Sequence, residues 1–332
     1  MNVNLHRARN IKNDEFYTQL PDISKELLHY ENHFNNKTVF CNCDNPYSSA
    51  FWEYFHLNFA RLGLKKLICV YYNGDKPSYK TEYLGGNDGD IRVCIKTKLL
   101  GNGDFRSYES VCLMNESDII VTNPPFSLAR EYILMLMKYN KLFLIIGDIN
   151  WITCKEVFPF FKSDKIWFGN HFVKEFMEPD GTVKKFGNKL WFTNLDINKR
   201  HNKLSLQKLY VDGQYQHYDN YDAININKVL DIPIDYYGVM GVPITYLNWH
   251  NPDEFDILGI TLGNTVDYPM LKSYELAIQH NKDGTVIGGS KINTRAVLRF
   301  DYIPKNRVYY TAANVIGYLV AVYPRILILK KK

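Results

Sequence analysis

Over the first 200 residues, short apolar runs alternate with amphipathic stretches, the pattern of a parallel sheet with helical crossovers. Thr38–Asn42 reads as the first strand. A helix follows from about Ser48 to Leu62, with Phe51, Phe55 and Phe59 at i, i+4 and i+8, a spacing that assigns these rings to the core. Leu67–Tyr72 and Asp118–Thr122 are further strands, Leu128–Met137 is a helix with its apolar positions on one face, and Leu142–Gly147 is another strand. Lys165–Gly169 and Leu190–Asn194 are predicted as the last strands of the same sheet. Ligands of such sheets bind at the carboxyl ends of the strands, so the residues just after these runs are where chemistry is sought.

The 332 residues, 46% of them hydrophobic, suffice for one large or two modest domains. Disordered, collagenous and coiled-coil chains are excluded by this composition. From about residue 200 Asn, Asp, Tyr and Pro become frequent, which predicts a boundary between residues 1–200 and 201–332. The net charge of +5 is too small to name a partner, but it is unevenly spread. Residues 201–290 carry 5 basic and 11 acidic side chains, and residues 291–332 carry 9 basic and 1 acidic. Six cysteines lie between Cys41 and Cys154 without a Cys-x-x-Cys pair, which argues against a disulfide scaffold or a zinc ribbon. With no apolar run near a membrane span, the expectation is a cytoplasmic protein of a reducing compartment.

The segment that carries chemistry is Ser117-Asp118-Ile119-Ile120-Val121-Thr122-Asn123-Pro124-Pro125-Phe126-Ser127. An apolar strand runs directly into Asn-Pro-Pro-aromatic. Pro124 biases Asn123 away from the α region, and two successive prolines stiffen the turn. The Asn123 side chain and the Pro124 carbonyl then present two acceptors, matched to the two hydrogens of an exocyclic amino group, while Phe126 offers a ring for a planar base. Such a grip directs the amino lone pair toward an electrophile. The plainer reading is a strand-ending turn.

These residues resemble the EcoRI-type adenine-specific DNA methyltransferases, within the S-adenosylmethionine-dependent amino-methyltransferases. The resemblance includes Asp14-Glu15-Phe16-Tyr17-Thr18-Gln19, Phe40-Cys41-Asn42-Cys43-Asp44-Asn45-Pro46, Gly103-Asp104-Phe105-Arg106-Ser107, Ile145-Ile146-Gly147-Asp148 and Trp191-Phe192-Thr193-Asn194-Leu195, in the family's order. It implies a Rossmann-like class I methyltransferase sheet with helices on both faces, and a C-terminal target-recognition region after residue 200. It also implies that S-adenosyl-L-methionine is the cofactor, with Phe16, Tyr17, Thr18, Cys41 and Asp44 at its methionine part and Asp104 and Phe105 at its adenine. Asn123, Pro124, Pro125 and Phe126 match the catalytic motif, and Trp191 and Phe192 match an aromatic motif that encloses the flipped base. The implied activity is transfer of a methyl group to the N6 amino group of a flipped adenine in double-stranded DNA, with a cognate restriction endonuclease as candidate partner. The loop after the first strand lacks the glycines of many methyltransferases, and no acidic residue ends the second strand to grip a ribose; Asn73 and Asp75 are the nearest substitutes.

Other features are weighed against plainer roles. His29 and His33 stand at i, i+4 without a third ligand nearby, and no metal is expected. Cys41 and Cys43 are read as packing residues with backbone contact to the cofactor and not as nucleophiles, since amino-group methylation needs no covalent adduct. Arg295, Arg299, Lys305 and Arg307, with Tyr302, Tyr309 and Tyr310 among them, are read as DNA contacts in preference to a solvated basic face. Rival functions are methylation of cytosine N4, an RNA base or a protein glutamine, and a silent DNA-binding module that retains the fold.

Overall fold

Four buried runs form the parallel middle of a nine-stranded sheet in the computed structural model, which describes residues 17–178, 181–262, 268–287 and 291–332. The strands are β1 (Tyr17–Thr18), β2 (Thr38–Cys41), β3 (Lys66–Val70), β4 (Tyr79–Tyr83), β5 (Ile95–Lys98), β6 (Ile119–Thr122), β7 (Leu142–Asp148), β8 (Trp167–Met177) and β9 (Val183–Thr193), in the order β1-β8-β9-β7-β6-β2-β3-β4-β5. Strands β3, β2, β6 and β7 are parallel, and antiparallel strands extend the sheet on both sides. Every residue of β2 and β6 is buried, so both faces of the middle are covered, as a parallel sheet requires.

The covering helices are α1 (Leu20–Leu27), α2 (Ala50–Leu57), α3 (Phe59–Leu62), α4 (Tyr108–Glu116) and α5 (Ala129–Lys138). Ile23 and Leu27 of α1 and Phe51 and Phe55 of α2 join Val39, Cys41, Val121, Leu144 and Ile146 in one core cluster. The single helix expected over 48–62 is instead two. At the break, Asn58 turns its amide onto the Tyr54 carbonyl (2.8 Å), competing with the helix for that acceptor. Gly63 then closes α3 with a left-handed φ of 63°.

The last strands of this sheet also differ from expectation. Lys165–Gly169 and Leu190–Asn194 were expected as short strands, but β8 and β9 are 11 residues each and pair antiparallel. Strand β8 bulges between Phe168 and Phe172, and the amides freed by the bulge are taken up by Glu26 of α1. The Glu26 side chain is fully buried and accepts from Asn170 N (2.6 Å), His171 N (2.9 Å), His171 Nδ1 (2.8 Å) and the Tyr30 hydroxyl (2.9 Å). Strands β4 and β5 were not expected at all; β5 is exposed throughout and ends the sheet with two lysines, Lys96 and Lys98.

The chain divides into two units: Met1–Val157 with Lys165–Ile197, and Phe158–Asp164 with Asn198–Lys332. The second contains α6 (Phe158–Lys162), β10 (Ile224–Asn225), β11 (Met240–Pro243), β12 (Phe255–Ile260), β13 (Ile278–His280), β14 (Val286–Ile287), β15 (Val297–Phe300), β16 (Tyr309–Ala312), β17 (Val315–Ala321) and β18 (Arg325–Lys330). These strands form two sheets, β10-β11-β18-β12 and β14-β13-β16-β17-β15. Among the described residues no helix is long and apolar enough to cross a membrane, and no cluster of three or more potential metal ligands occurs.

Replacing Glu26 strands two backbone amides and a phenol inside the protein. Glu26→Ala is expected to lower stability by about 3 kcal/mol or more, measured by urea denaturation.

Candidate active site

From β2 the chain crosses to β3 on one side, and from β6 to β7 on the other, so the order reverses between adjacent β2 and β6. A crevice opens at the carboxyl ends of two strands related in this way. Asn42–Asn45 follows β2 and Asn123–Phe126 follows β6, which places both sequence motifs at this crevice.

One carboxylate joins them. Asp44 accepts from Ser49 Oγ (2.7 Å) and from Thr122 Oγ1 (2.5 Å), the residue directly before Asn123. The Ser49 oxygen also caps α2, accepting from Phe51 N and Trp52 N. Burial pushes the Asp44 carboxyl up to about 6, although both hydroxyl donors favour its charged form.

Neighbouring contacts order the rest of the crevice. Asn42 is buried, and its Oδ1 accepts from the hydroxyl of Tyr132 on α5. The Tyr132 ring stands edge-on to Phe105, at 5.0 Å between centroids. Gly103 has φ 79°, and a Cβ there would lie 2.1 Å from the Tyr71 carbonyl, so the loop leading to Asp104 needs glycine at this point. Asp104 is gripped by Arg106 through Nε (2.9 Å) and Nη2 (2.6 Å), a fork that fixes the plane of the carboxylate. Hydrogen bonding to Asp104 raises the Arg106 pKa, so the guanidinium stays charged.

The remaining predicted residues are placed as follows. Tyr17 and Thr18 pair with Met177 and Phe176 at the end of β8, whereas Phe16 lies outside the described residues. Cys41 is wholly buried in the core, and burial pushes its thiol up, as suits a packing residue. The Asn73 amide is spent on the Pro77 carbonyl (2.9 Å) and Asp75 is exposed. Pro124 is buried, whereas Asn123, Pro125 and Phe126 are half-buried. Phe126 meets Trp151 (6.3 Å) and Phe176 (6.0 Å) at steep angles. Trp191 and Phe192 are both 0% exposed: Trp191 packs against Phe51, and Phe192 lies beneath Trp151 at 5.3 Å. The half-buried indole beside Phe126 is thus Trp151, which the sequence reading did not single out.

The family model described as "Adenine-specific methyltransferase EcoRI" matches residues 4–303. The chain belongs to this family. It is 46% identical over 294 residues to the Type II methyltransferase M.EcoRI of Escherichia coli, covering 78% of the chain and 89% of that protein. It is 34% identical over 316 residues to the Type II methyltransferase M.MpnI of Mycoplasma pneumoniae, covering 89% of the chain and 97% of that protein. No solved structure matches the chain.

Two buried polar atoms of the first unit bear on ligand binding. Thr18 Oγ1 and Asn42 Nδ2 are buried and have no hydrogen-bond partner among the described residues. Unpaired buried polar atoms are costly, and a polar ligand satisfies them. In the second unit, Lys305 and Arg307 are exposed between β15 and β16, and Arg299 is exposed on β15 with its Nε 3.7 Å from Asp219 Oδ1. Arg295 is half-buried with its Nε enclosed, and Tyr309 is buried with its ring stacked on His280 at 4.7 Å.

The raised Asp44 pKa has a definite sign. Its stabilising contribution is complete below about pH 4 and is lost as pH rises through about 6, because the buried charge is disfavoured. Asp44→Asn is therefore expected to gain stability relative to the native protein between pH 4 and pH 7, by up to about 3 kcal/mol, in paired thermal melts across that range.

Proposed function

We propose that this chain is a site-specific DNA methyltransferase that moves a methyl group from S-adenosyl-L-methionine to the exocyclic N6 amino group of adenine. The observation that carries the reading is Asn123-Pro124-Pro125-Phe126 at the strand-order reversal, tied through Thr122 and Asp44 to the loop that follows β2. We read the nine-stranded unit as a Rossmann-like class I methyltransferase domain and residues 198–332 as the target-recognition region.

Bound S-adenosyl-L-methionine supplies an electrophilic methyl group on a sulfonium. The protein's part is placement. Thr18 Oγ1, next to Tyr17 on β1, and Asn42 Nδ2, just after β2, are available to hydrogen-bond the methionine end. Asp104, its carboxylate plane fixed by Arg106, is read as the acceptor of an adenine amino group. Phe105 supplies the ring beside it.

The target base reaches the crevice only when flipped out of the duplex, at a cost of a few kcal/mol. Asn123 Oδ1 and the Pro124 carbonyl accept its amino hydrogens, which turns the nitrogen lone pair toward the methyl group. Phe126 stacks on the base, and Trp151 stands at its side. The proton released from nitrogen passes to these acceptors and on to solvent. Placement and oriented dipoles supply the rate, so losing one acceptor is costly.

Expression in a methylation-free host, followed by single-molecule sequencing of host DNA, should show N6-methyladenine in one short motif. Methylation of cytosine, or none, overturns the reading. Asn123→Ala should reduce tritiated-methyl transfer at least about a hundredfold while S-adenosyl-L-methionine affinity by calorimetry changes less than about threefold. Neutralising Lys305 and Arg307 together should flatten the dependence of log Kd on log salt by about 2, as expected for the loss of two phosphate contacts. Arg295 is better left intact, because its enclosed Nε makes a change there a change in folding as well.

A further inference from the structure

A buried ion pair lies against the Asn-Pro-Pro-Phe turn. Lys189 of β9 faces Asp148 of β7 across the antiparallel ladder, and only 8% of its side chain is exposed. Its Nζ is 2.7 Å from Asp148 Oδ2, 4.3 Å from the centre of the Phe126 ring and 5.1 Å from that of Phe186. Asp148 is held in turn by Asn188 Nδ2 (2.7 Å) and Asn150 N (2.9 Å).

Lysines keep their ammonium groups in water wherever the stem allows, because burial costs several kcal/mol per ion. Asp148 offsets that cost, but pairing alone needs no aromatic ring. An ammonium within about 6 Å of a ring face is attracted by the ring's π density, and more strongly when desolvated. Phe126 is thereby held by a cation over its ring as well as by the edge contacts of Trp151 and Phe176.

We propose that Lys189 is a positioning residue for methyl transfer: its ammonium, fixed by Asp148 and lying over the Phe126 ring, holds that ring in the orientation in which it meets the target base. This rests on the stacking role assigned above to Phe126. Asp148 has its own part in the arrangement. The amino nitrogen becomes positive as it attacks, and an unpaired ammonium nearby would oppose that charge, whereas a neutralised pair does not.

The test compares the native protein with Lys189→Met, Lys189→Arg and Asp148→Asn. Each is assayed for single-turnover methyl transfer, for cofactor and DNA affinity, and for the emission of a duplex carrying 2-aminopurine at the methylated position. Lys189→Met should slow transfer about tenfold to a hundredfold with affinities changed less than about threefold. It should also brighten the flipped 2-aminopurine, whose emission stacking quenches. Lys189→Arg, a planar cation that still pairs with a carboxylate and covers a ring, should recover transfer to within about fivefold of native.

Native transfer and native emission in Lys189→Met overturn the proposal. If that variant does not fold, a folded Asp148→Asn with native rate overturns it, as does a folded Lys189→Arg slowed more than about tenfold. A native protein that methylates no adenine overturns the parent reading and this one with it. An active native protein with an unaffected Lys189→Met overturns only this one.

Discussion

The Asp44 carboxylate joins three parts of the site that are far apart in sequence. It receives the Ser49 hydroxyl that caps α2, the Thr122 hydroxyl at the end of β6, and it sits in the loop that leaves β2. Strand pairing sets β2 beside β6, but a backbone ladder alone does not fix how the two following loops turn. The shared carboxylate does, because Asn123 begins one bond beyond Thr122 and Pro124 stiffens the next step. Its burial is the cost of that joint. Burial pushes the carboxyl up to about 6, and the two hydroxyls that point at it favour its charged form.

The central strands were legible because both faces of a parallel strand are buried, so β2, β6 and most of β7 appear in sequence as unbroken apolar runs. Strands β4 and β5 escaped notice for the opposite reason. Tyr79–Tyr83 mixes polar and aromatic residues, and Ile95–Lys98 is exposed throughout, so neither has an apolar face to announce it. The β8–β9 hairpin was half legible. Its apolar ends were visible, but its full length depends on Glu26, a residue more than 140 positions away that satisfies the amides of the bulge.

The site divides along the same line. Asn123–Phe126, Asp44 and Asp104 lie within contiguous motifs and were legible from residue type and order. The residues that orient them are brought in by register or by helix packing: Tyr132 onto Asn42, Trp151 beside Phe126, Lys189 across from Asp148. A faint signal existed for the last pair, since Asp148 and Lys189 are lone charges ending the apolar runs Ile145-Ile146-Gly147 and Leu190-Trp191-Phe192. Gly147 belongs to the same construction. A Cβ there would come within about 2.5 Å of both the Trp151 and Phe192 rings, so the aromatic wall beside Phe126 requires a residue without one.

The basic excess after residue 290 has to be divided before it can be assigned to a duplex. Strand β18 runs between β11 and β12, and its charged ends serve that sheet: Arg325 Nε meets Asn225 Oδ1 at 3.4 Å, and Lys330 Nζ is hydrogen-bonded to the Ile234 carbonyl. Lys331 is 3.2 Å from Asp256, and Arg295 is turned inward. Arg299 is exposed yet shares Asp219 with Lys272. Phosphate binding requires a cation that can exchange its counterions for the ligand, and a guanidinium or ammonium committed to a protein acceptor contributes little of that exchange. Lys305 and Arg307, in the turn that also exposes Tyr302, are side chains whose charge is displayed rather than consumed, as are the exposed Lys291 and Lys332. The segment is therefore basic for two reasons, sheet construction and surface charge, and only the second of these can steer a polyanion.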